Sequence, residues 1–344
     1  MTNLFPQQKI DRLKDLIDTS AKIVIVTHVN PDGDAIGSSI AWHDFLREQG
    51  IESTIIVPNH FPDFLKWIGG SDRILIYSHS REKCERILKS ADLLFCLDFN
   101  NLPRLDALGA FLETLSLKKV LIDHHIRADE QNFTLSFSKV PMSSTCEIVY
   151  NIIVQITGNR HVSPPLAEAL YTGIMTDTGA FFHSSTSELF RIVADLMECG
   201  IDRTKIHSAV YNSFSENRMK LMGYCLHNKM EVLRDYNAAY ICLTRSELDS
   251  FQFEPGDTEG FVNIPLSIKG IILSVFFVES KDGYIKISFR SIGDFSVDNM
   301  ARKYFNGGGH KNASGGKSFT SLDDTVAFFK HILPEFKEIM NYEL

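Results

Sequence analysis

Short apolar segments that end in acidic or histidine residues constrain the fold of this chain more than any other feature. In an open parallel sheet the carboxyl ends of the strands lie along one edge, and ligands bind there. Side chains that are far apart in the sequence are therefore predicted to meet at one site. The segments are 22–26, followed by His28, Asp32 and Asp34; 92–97, followed by Asp98; 119–122, followed by Asp123, His124 and His125; and 170–175, followed by Asp177.

The first two thirds of the chain alternate between such strands and amphipathic helices. Strands that are apolar on both faces and alternate with helices indicate a parallel α/β sheet. The predicted strands are 22–28, 52–57, 73–77, 92–98 and 119–124. The predicted helices are 7–19, 35–49, 81–89, 104–115, 145–157, 164–176 and 187–199.

The last third of the chain has a different pattern. A polar helical stretch at 215–231 is followed by a strand at 237–243, a hairpin and a helix at 322–342. The hairpin strands, 271–278 and 284–290, are joined by a turn that ends in glycine, which is typical of an antiparallel element. The sequence thus predicts an α/β domain over 1–211, a helical connector over 212–232 and a smaller α+β domain over 233–344, with the active site in the cleft.

Composition limits the class of protein. The chain has 344 residues and a net charge of −8, which argues against a broad basic face for long duplex DNA. No stretch approaches the roughly 20 apolar residues of a membrane span, and the N-terminus lacks the apolar core of a signal peptide. The six cysteines are scattered without a C-x-x-C pair. They are predicted to be buried thiols in a reducing compartment, and the protein is predicted to be cytoplasmic.

The acidic and histidine residues at the strand ends favour a pair of divalent ions. Each fragment alone has an ordinary explanation, since aspartate often caps helices and histidine is common at strand ends. Together, Asp32, Asp34, Asp98 and Asp177 carry four negative charges, which two divalent ions would balance. One aspartate between the ions could bridge them at a separation of ~3.5–4 Å. Carboxylate and imidazole ligands without thiolate suit Mn²⁺ better than Ca²⁺ and do not require Zn²⁺.

These residues resemble the ordered motifs of the DHH phosphoesterase superfamily. The matching positions are His28-x3-Asp32-Gly33-Asp34, then Asp98, then Asp123-His124-His125, then Asp177 within 173–179. Gly307-Gly308-Gly309-His310 is similar to the glycine-rich signature of the DHHA-type domain that follows in one subgroup. At this length the chain is most similar to the nanoRNase/pAp phosphatase group, some of whose members are described as exopolyphosphatase-related.

The resemblance implies a role for each matching residue. One metal ion would be held by His28, Asp32 and Asp98, and the other by Asp34, Asp98, His124 and Asp177, with Asp98 as the bridge. Asp123 would orient a ligand histidine, and His125 would contact a substrate phosphate or donate a proton. Arg104 fits a phosphate contact at a helix start, with a solvated helix residue as the equal alternative.

A basic segment near the C-terminus is predicted to bind the substrate. Residues 286–317 contain six lysine and arginine side chains against two aspartates, in an otherwise acidic protein. Arg290, His310 and the backbone amides of Gly307, Gly308 and Gly309 are the predicted contacts, because backbone without side chains can approach an anion closely. A flexible glycine loop is the alternative explanation.

The predicted function is hydrolysis of short oligoribonucleotides from one end, with removal of the 3′-phosphate of pAp as a second activity. The alternatives are hydrolysis of pApA or other dinucleotides, hydrolysis of polyphosphate or pyrophosphate, and an inactive nucleotide-binding protein. Pyrophosphatases that share the first domain carry a Ser-Arg-Lys-type motif, whereas this chain has only Ser288-Phe289-Arg290. The partner is predicted to be single-stranded RNA or a nucleotide. A homodimer through the helices after Asp177 is left open.

Overall fold

A fully parallel sheet forms the centre of the first part of the chain. The computed structural model describes residues 3–126 and 128–336, and its contacts divide the chain into two units, Met1–Ser213 and Phe214–Leu344. The strands of the first unit lie in the order β3-β2-β1-β4-β5-β6. They are β1 Ile23–Val26, β2 Ser53–Val57, β3 Leu75–Ile76, β4 Leu93–Leu97, β5 Lys118–Asp123 and β6 Leu135–Ser138.

The direction in which strands are added to this sheet reverses at β1. β2 and β3 lie on one side of β1, and β4 to β6 lie on the other. Val26 pairs with both Ile56 and Cys96, so the carboxyl ends of the three central strands are level. A crevice forms at such a topological switch point, and it is the usual ligand-binding position of an open α/β sheet.

Helices cover both faces of the parallel sheet. Ile23 and Ile25 belong to the core on one face, while Val24 and Val26 belong to the core on the other. This alternation explains why β1 is apolar at every position, as the sequence predicted. The helices of this unit are α1 Gln7–Asp18, α2 Gly33–Glu48, α3 Arg81–Lys89, α4 Ala107–Glu113, α5 Thr145–Thr157, α6 Pro164–Asp177, α7 Ser187–Glu198 and α8 Arg203–Tyr211.

The second unit is built on a mixed sheet in the order β11-β12-β10-β9-β8-β7. β8 and β9 are parallel, and the other neighbours are antiparallel. The strands are β7 Met230–Leu233, β8 Ala238–Leu243, β9 Leu273–Glu279, β10 Ile285–Ser291, β11 Gly308–Gly309 and β12 Ala313–Ser318. The helices are α9 Glu216–Tyr224, α10 Arg245–Ser250, α11 Val297–Tyr304 and α12 Leu322–Ile332. The predicted α/β plus α+β fold class and the β9–β10 hairpin are confirmed.

Two predicted helices are shorter in the structure than in the sequence analysis. The helix expected over 104–115 is split at Asp106, whose φ of 48° is incompatible with a helix, so only a 3₁₀ turn and α4 form. The helix expected over 322–342 gives way to a 3₁₀ turn at Leu333–Phe336, because Pro334 has no amide proton to donate. Residues 337–342 of that prediction lie outside the described residues.

The sequence analysis missed several elements of the second unit. β12 has the sequence Ala-Ser-Gly-Gly-Lys-Ser, which resembles a loop and has no apolar alternation. One of its glycines is needed because the neighbouring backbone is very close: a Cβ at Gly316 would lie 2.8 Å from the carbonyl oxygen of Phe305. The segment expected to act as a connector forms α9, a π-helical turn at Cys225–Lys229 and β7, all within the second unit.

Two global predictions can be compared with the described residues. Within them, no helix is both long enough and apolar enough to cross a bilayer. The six cysteines carry free thiols, five of them buried, as the sequence predicted.

Candidate metal centre

The first motif, which runs from His28 to Asp34, caps the amino end of α2. Asp32 is the N-cap residue, and its Oδ1 accepts hydrogen bonds from the amides of Asp34 and Ala35 at 3.1 Å. Gly33 has an ordinary helical conformation, but a Cβ there would overlap the Thr176 side chain of α6. Glycine is therefore required for the close approach of α6 to this turn.

Two histidines present the same ring nitrogen to the centre. Nδ1 of His28 lies 2.8 Å from the carbonyl oxygen of Val29, and Nδ1 of His124 lies 3.3 Å from that of Met142. Because a carbonyl oxygen only accepts, each Nδ1 carries the proton. In the neutral form of each ring Nε2 then carries the lone pair, and this is the form that binds a metal ion.

Asp98 lies between these two histidines. It follows β4 directly and has a φ of 63°, in the left-handed region that aspartate tolerates better than most residues. Its Oδ2 is 3.4 Å from Nε2 of His28, and its Oδ1 is 3.5 Å from Nε2 of His124. The two carboxylate oxygens thus face different imidazoles, which is the arrangement that a bridging ligand needs.

Asp34 is held by the amino end of α5. Its carboxylate accepts hydrogen bonds from the amide of Thr145 at 2.6 Å and from that of Cys146 at 2.9 Å. The Thr145 hydroxyl also donates to Oδ1 of Asp98 at 3.0 Å. The sequence analysis predicted a helix start at residue 145 but missed this role, because nothing in the local pattern indicates contact with residues 47 and 111 positions away.

Asp177 completes a second group of ligand atoms. It is the last residue of α6, and its Oδ2 lies 3.5 Å from Nε2 of His124. The same nitrogen of His124 lies 3.8 Å from Oδ2 of Asp34. Ligand atoms of His28, Asp32 and Asp98 form a first group, and those of Asp34, His124 and Asp177 form a second, each within 4.8 Å. The structure therefore brings together all six residues that the sequence analysis assigned to metal ligation.

These separations fit metal ligation better than direct ion pairing. The imidazole nitrogens lie 3.4–3.9 Å from the carboxylate oxygens, beyond ordinary hydrogen-bond length. Two atoms that each bind one ion at about 2.1 Å lie about 3–3.5 Å apart in tetrahedral or octahedral geometry. The oxygen and nitrogen donors of the two groups therefore suit divalent cations.

His125 forms a separate pair with Asp123. Its Nδ1 donates to Oδ1 of Asp123 at 2.7 Å, and both side chains are buried. The sequence analysis expected Asp123 to orient a ligand histidine; the histidine that it holds here is His125, which was not assigned as a ligand. The His124 and His125 rings lie 5.0 Å apart, because both residues follow the end of β5 and are not part of the strand.

Arg104 lies beside the centre in a 3₁₀ turn, not at a helix start. Its carbonyl oxygen accepts a hydrogen bond from the amide of Val29 at 2.9 Å, which ties the turn to the first motif. Its guanidinium is close enough to lower the pKa of both His28 and His125, after the larger effect of burial. A cation at this position is consistent with the predicted phosphate contact.

The carboxylates of the centre destabilise one another. Burial, followed by Asp34, Asp32, Asp177 and Asp123, raises the pKa of Asp98 well above its usual range. Burial also raises the pKa of Asp34, with Asp32 adding to the effect. A positive charge nearby favours the ionised form of such a buried carboxyl group and lowers its pKa again. Bound cations would therefore stabilise this cluster.

Gly173 allows α6 to pack against the centre. A Cβ at this position would overlap Sγ of Cys146 and lie 3.0 Å from Oδ1 of Asp34. We expect Gly173→Ala to lower stability by about 1–3 kcal/mol through overpacking, which corresponds to a fall of about 2–10 °C in the unfolding midpoint. Gly223→Ala in α9 is the matched control, since a Cβ there meets nothing within 4 Å. Calorimetry that finds equal midpoints for the two variants would contradict this packing.

The glycine-rich segment of the second unit is packed more tightly than the sequence analysis expected. The Gly307 amide donates to the carbonyl oxygen of Ala301 at 3.2 Å, and the Gly309 amide donates to Oδ1 of Asp298 at 2.8 Å. These two amides, which were expected to face a phosphate, are therefore used inside the unit. The role of Gly308 as a phosphate contact stays a prediction.

The two side chains predicted to bind substrate in the second unit lie close to one sheet edge. Arg290 is on β10 and pairs in register with Ala313 of β12. The amide of His310 donates to the carbonyl oxygen of Ala313 at 2.7 Å. Phe289 is fully buried whereas Ser288 and Arg290 are half-buried, so the predicted alternation of faces is confirmed. Substrate binding by Arg290 and His310 stays a prediction.

Comparison with known proteins agrees with this geometry. The DHH family N-terminal domain matches residues 22–174, and the DHHA1 domain matches residues 236–336. The chain is 29% identical to the bifunctional oligoribonuclease and PAP phosphatase NrnA of Bacillus subtilis, over 90% of this chain and 92% of that protein. It is 30% identical to the protein of the same name from Thermus thermophilus, over 85% and 83%.

A solved structure is similar over the whole length. An exopolyphosphatase-related protein from Bacteroides fragilis is 42% identical and superimposes with a TM-score of 0.93, covering 99% of this chain and 100% of that one. The two NrnA proteins and the Bacteroides fragilis structure each match this chain over most of its length, so the similarity includes both units. The chain therefore belongs to the DHH family of phosphoesterases, with a DHHA1 domain in its second half.

Proposed function

We propose that this enzyme hydrolyses short oligoribonucleotides from one end and removes the 3′-phosphate of pAp, using two divalent ions. The position of Asp98 is the observation that carries the proposal, because its two oxygens face His28 and His124 and join the two groups of ligand atoms. The names of the relatives from B. subtilis and T. thermophilus support the choice of substrates.

The proposed ligand sets follow the two groups of atoms. His28, Asp32 and Asp98 would hold one ion, and Asp34, Asp98, His124 and Asp177 would hold the other. The mixture of imidazole and carboxylate favours Mn²⁺. Bound there, the ions would polarise the phosphoryl oxygens and lower the pKa of an attacking water.

The remaining residues would bind the substrate and move a proton. Arg104 would hold a phosphate oxygen through a charge-assisted hydrogen bond. His125, whose Nδ1 donates to Asp123, would deliver a proton from Nε2 to the leaving oxygen of the ribose in its imidazolium form, in which both ring nitrogens carry a proton. Asp34 would stay in place through its two amide hydrogen bonds from α5, which hold the carboxylate before any ligand arrives.

A hydrolysis panel tests this proposal. Purified enzyme would be treated with EDTA, supplied with Mn²⁺, Mg²⁺ or Zn²⁺, and assayed on pAp, RNA of two to five nucleotides, pApA, pyrophosphate and polyphosphate. We expect no turnover after EDTA, recovery with Mn²⁺, and the highest kcat/KM on the short RNAs and pAp. Turnover of pyrophosphate or polyphosphate alone would overturn the proposed substrates, and full activity in a metal-free sample would overturn the metal centre.

A further inference from the structure

The loop that follows Asp177 is tied to the end of α6 by backbone hydrogen bonds. Ala180, Phe181 and Ser184 have φ values of 56°, 69° and 51°, in the left-handed region that residues with side chains seldom adopt. The amides of Phe182 and His183 donate to the carbonyl oxygen of Thr178 at 2.9 and 2.8 Å. These bonds fold the loop back onto the end of α6, so Phe182 lies next to the residue that follows a predicted metal ligand.

The two phenylalanines of this loop have opposite environments. Phe181 packs on the core, with its ring 5.8 Å from that of Tyr171 and 6.0 Å from that of Phe190. Phe182 is 80% exposed, the largest exposed fraction among the large apolar side chains of the described residues. Burial in the core accounts for an apolar side chain at position 181. It does not account for one at position 182, because an exposed phenylalanine contributes little to the free energy of folding.

The ring of Phe182 is supported from one side. The His183 ring meets it edge to face at a centroid distance of 4.7 Å and an angle of 86°. His183 in turn lies against Gly179, where a Cβ would be 3.2 Å from Cδ2 of the imidazole. The exposed ring of Phe182 therefore packs against one neighbour, His183, which itself packs against the loop backbone.

We propose that Phe182 is a stacking platform for the base of the nucleotide whose phosphate is bound at the adjacent metal centre. The inference rests on the proposed function, since it takes the substrate to be a nucleotide. Every base has a π-face, so stacking on an aromatic ring tolerates any sequence. A platform of this kind suits an enzyme for short RNAs of any sequence, and it distinguishes nucleotides from pyrophosphate, which has no base.

The kinetic test compares a substrate that has a base with one that lacks it. We expect Phe182→Ala to lower kcat/KM for pAp by about 5- to 150-fold, the range expected for loss of one stacked base. Hydrolysis of 1-deoxyribose 3′,5′-bisphosphate, which has no base, should stay within about twofold. Phe182→Trp should restore the activity on pAp. Phe319→Ala in the second unit is the matched control, because Phe319 is 72% exposed.

A binding measurement separates this inference from the proposed function. The 2-aminopurine analogue of pAp would be titrated, with Mn²⁺ present, into His125→Ala protein, in which turnover is slowed and the proposed metal ligands are kept, and into the His125→Ala, Phe182→Ala double variant. We expect fluorescence quenching by stacking in the first protein and its loss in the second. If the analogue is quenched but the wild type does not hydrolyse pAp, the proposed function is overturned and the stacking platform is kept. If the wild type hydrolyses pAp but the analogue is not quenched, only the platform is overturned.

Two further outcomes would also overturn the platform. An equal loss of activity on pAp and on the base-free substrate would mean that Phe182 acts only by holding the loop. Conversion of a dimeric wild type to a monomeric Phe182→Ala protein, measured by analytical ultracentrifugation, would assign the exposed ring to a second copy of this chain.

Discussion

Asp98→Asn is expected to lower kcat/KM on pAp by about 10³-fold or more in the presence of Mn²⁺. Metal ions contribute several kcal/mol to the stabilisation of the transition state, and each 1.36 kcal/mol is a factor of ten in rate. The amide of asparagine keeps the shape of the side chain but removes the charge that would serve both ions. Asparagine also tolerates the left-handed backbone at this position, where φ is 63°, so the variant should fold.

The matched control for this variant is Asp106→Asn. Asp106 also has a positive φ, 48°, lies in the same unit and is exposed, but it belongs to no candidate metal group of the described residues. Both proteins would be assayed for activity and for bound manganese by mass spectrometry. We expect full activity and metal content in the control and a loss of both in Asp98→Asn. Near-normal turnover by folded Asp98→Asn protein would falsify the bridging role.

The parallel sheet could be predicted because its physical cause is local. β1 is apolar at every position since its two faces enter two different cores, and this pattern is readable without a structure. The site could be predicted for a related reason. In a parallel sheet His28 and Asp98 must come to the same edge once the strands that precede them are placed side by side, as β1 and β4 are.

The parts that could not be predicted depend on contacts between distant segments. Thr145 binds Asp34 and Asp98 across the fold, and its own neighbours indicate only a helix start. The break at Asp106 comes from a positive φ that aspartate permits but does not require. β12 has the composition of a loop, and it pairs as a strand with β10 at a place where Gly316 lies too close to the backbone of Phe305 for a larger residue. Pattern alone contains none of this information.

His125→Ala is expected to lower kcat/KM on pAp and on dinucleotides by about 10²- to 10⁴-fold, the usual contribution of a general acid. The ribose alkoxide needs a proton as it leaves, whereas nitrophenolate leaves without one. In the same variant, kcat/KM for bis-p-nitrophenyl phosphate should therefore fall much less. His79→Ala is the control, because His79 is exposed and lies outside the candidate metal groups of the described residues.

Asp123→Asn should reproduce much of the His125→Ala effect, because Oδ1 of Asp123 holds Nδ1 of His125 at 2.7 Å. Residues that act as a unit are not additive, so the double variant should be little worse than His125→Ala alone. The measurement is the double-variant cycle on pAp, with bound manganese determined for each protein. If the two losses multiply, the pair does not act as a proton donor and its support. If manganese is lost together with His125, this residue belongs with the metal ligands. Its Nδ1 lies 3.7 Å from Oδ1 of Asp98, which would permit that role.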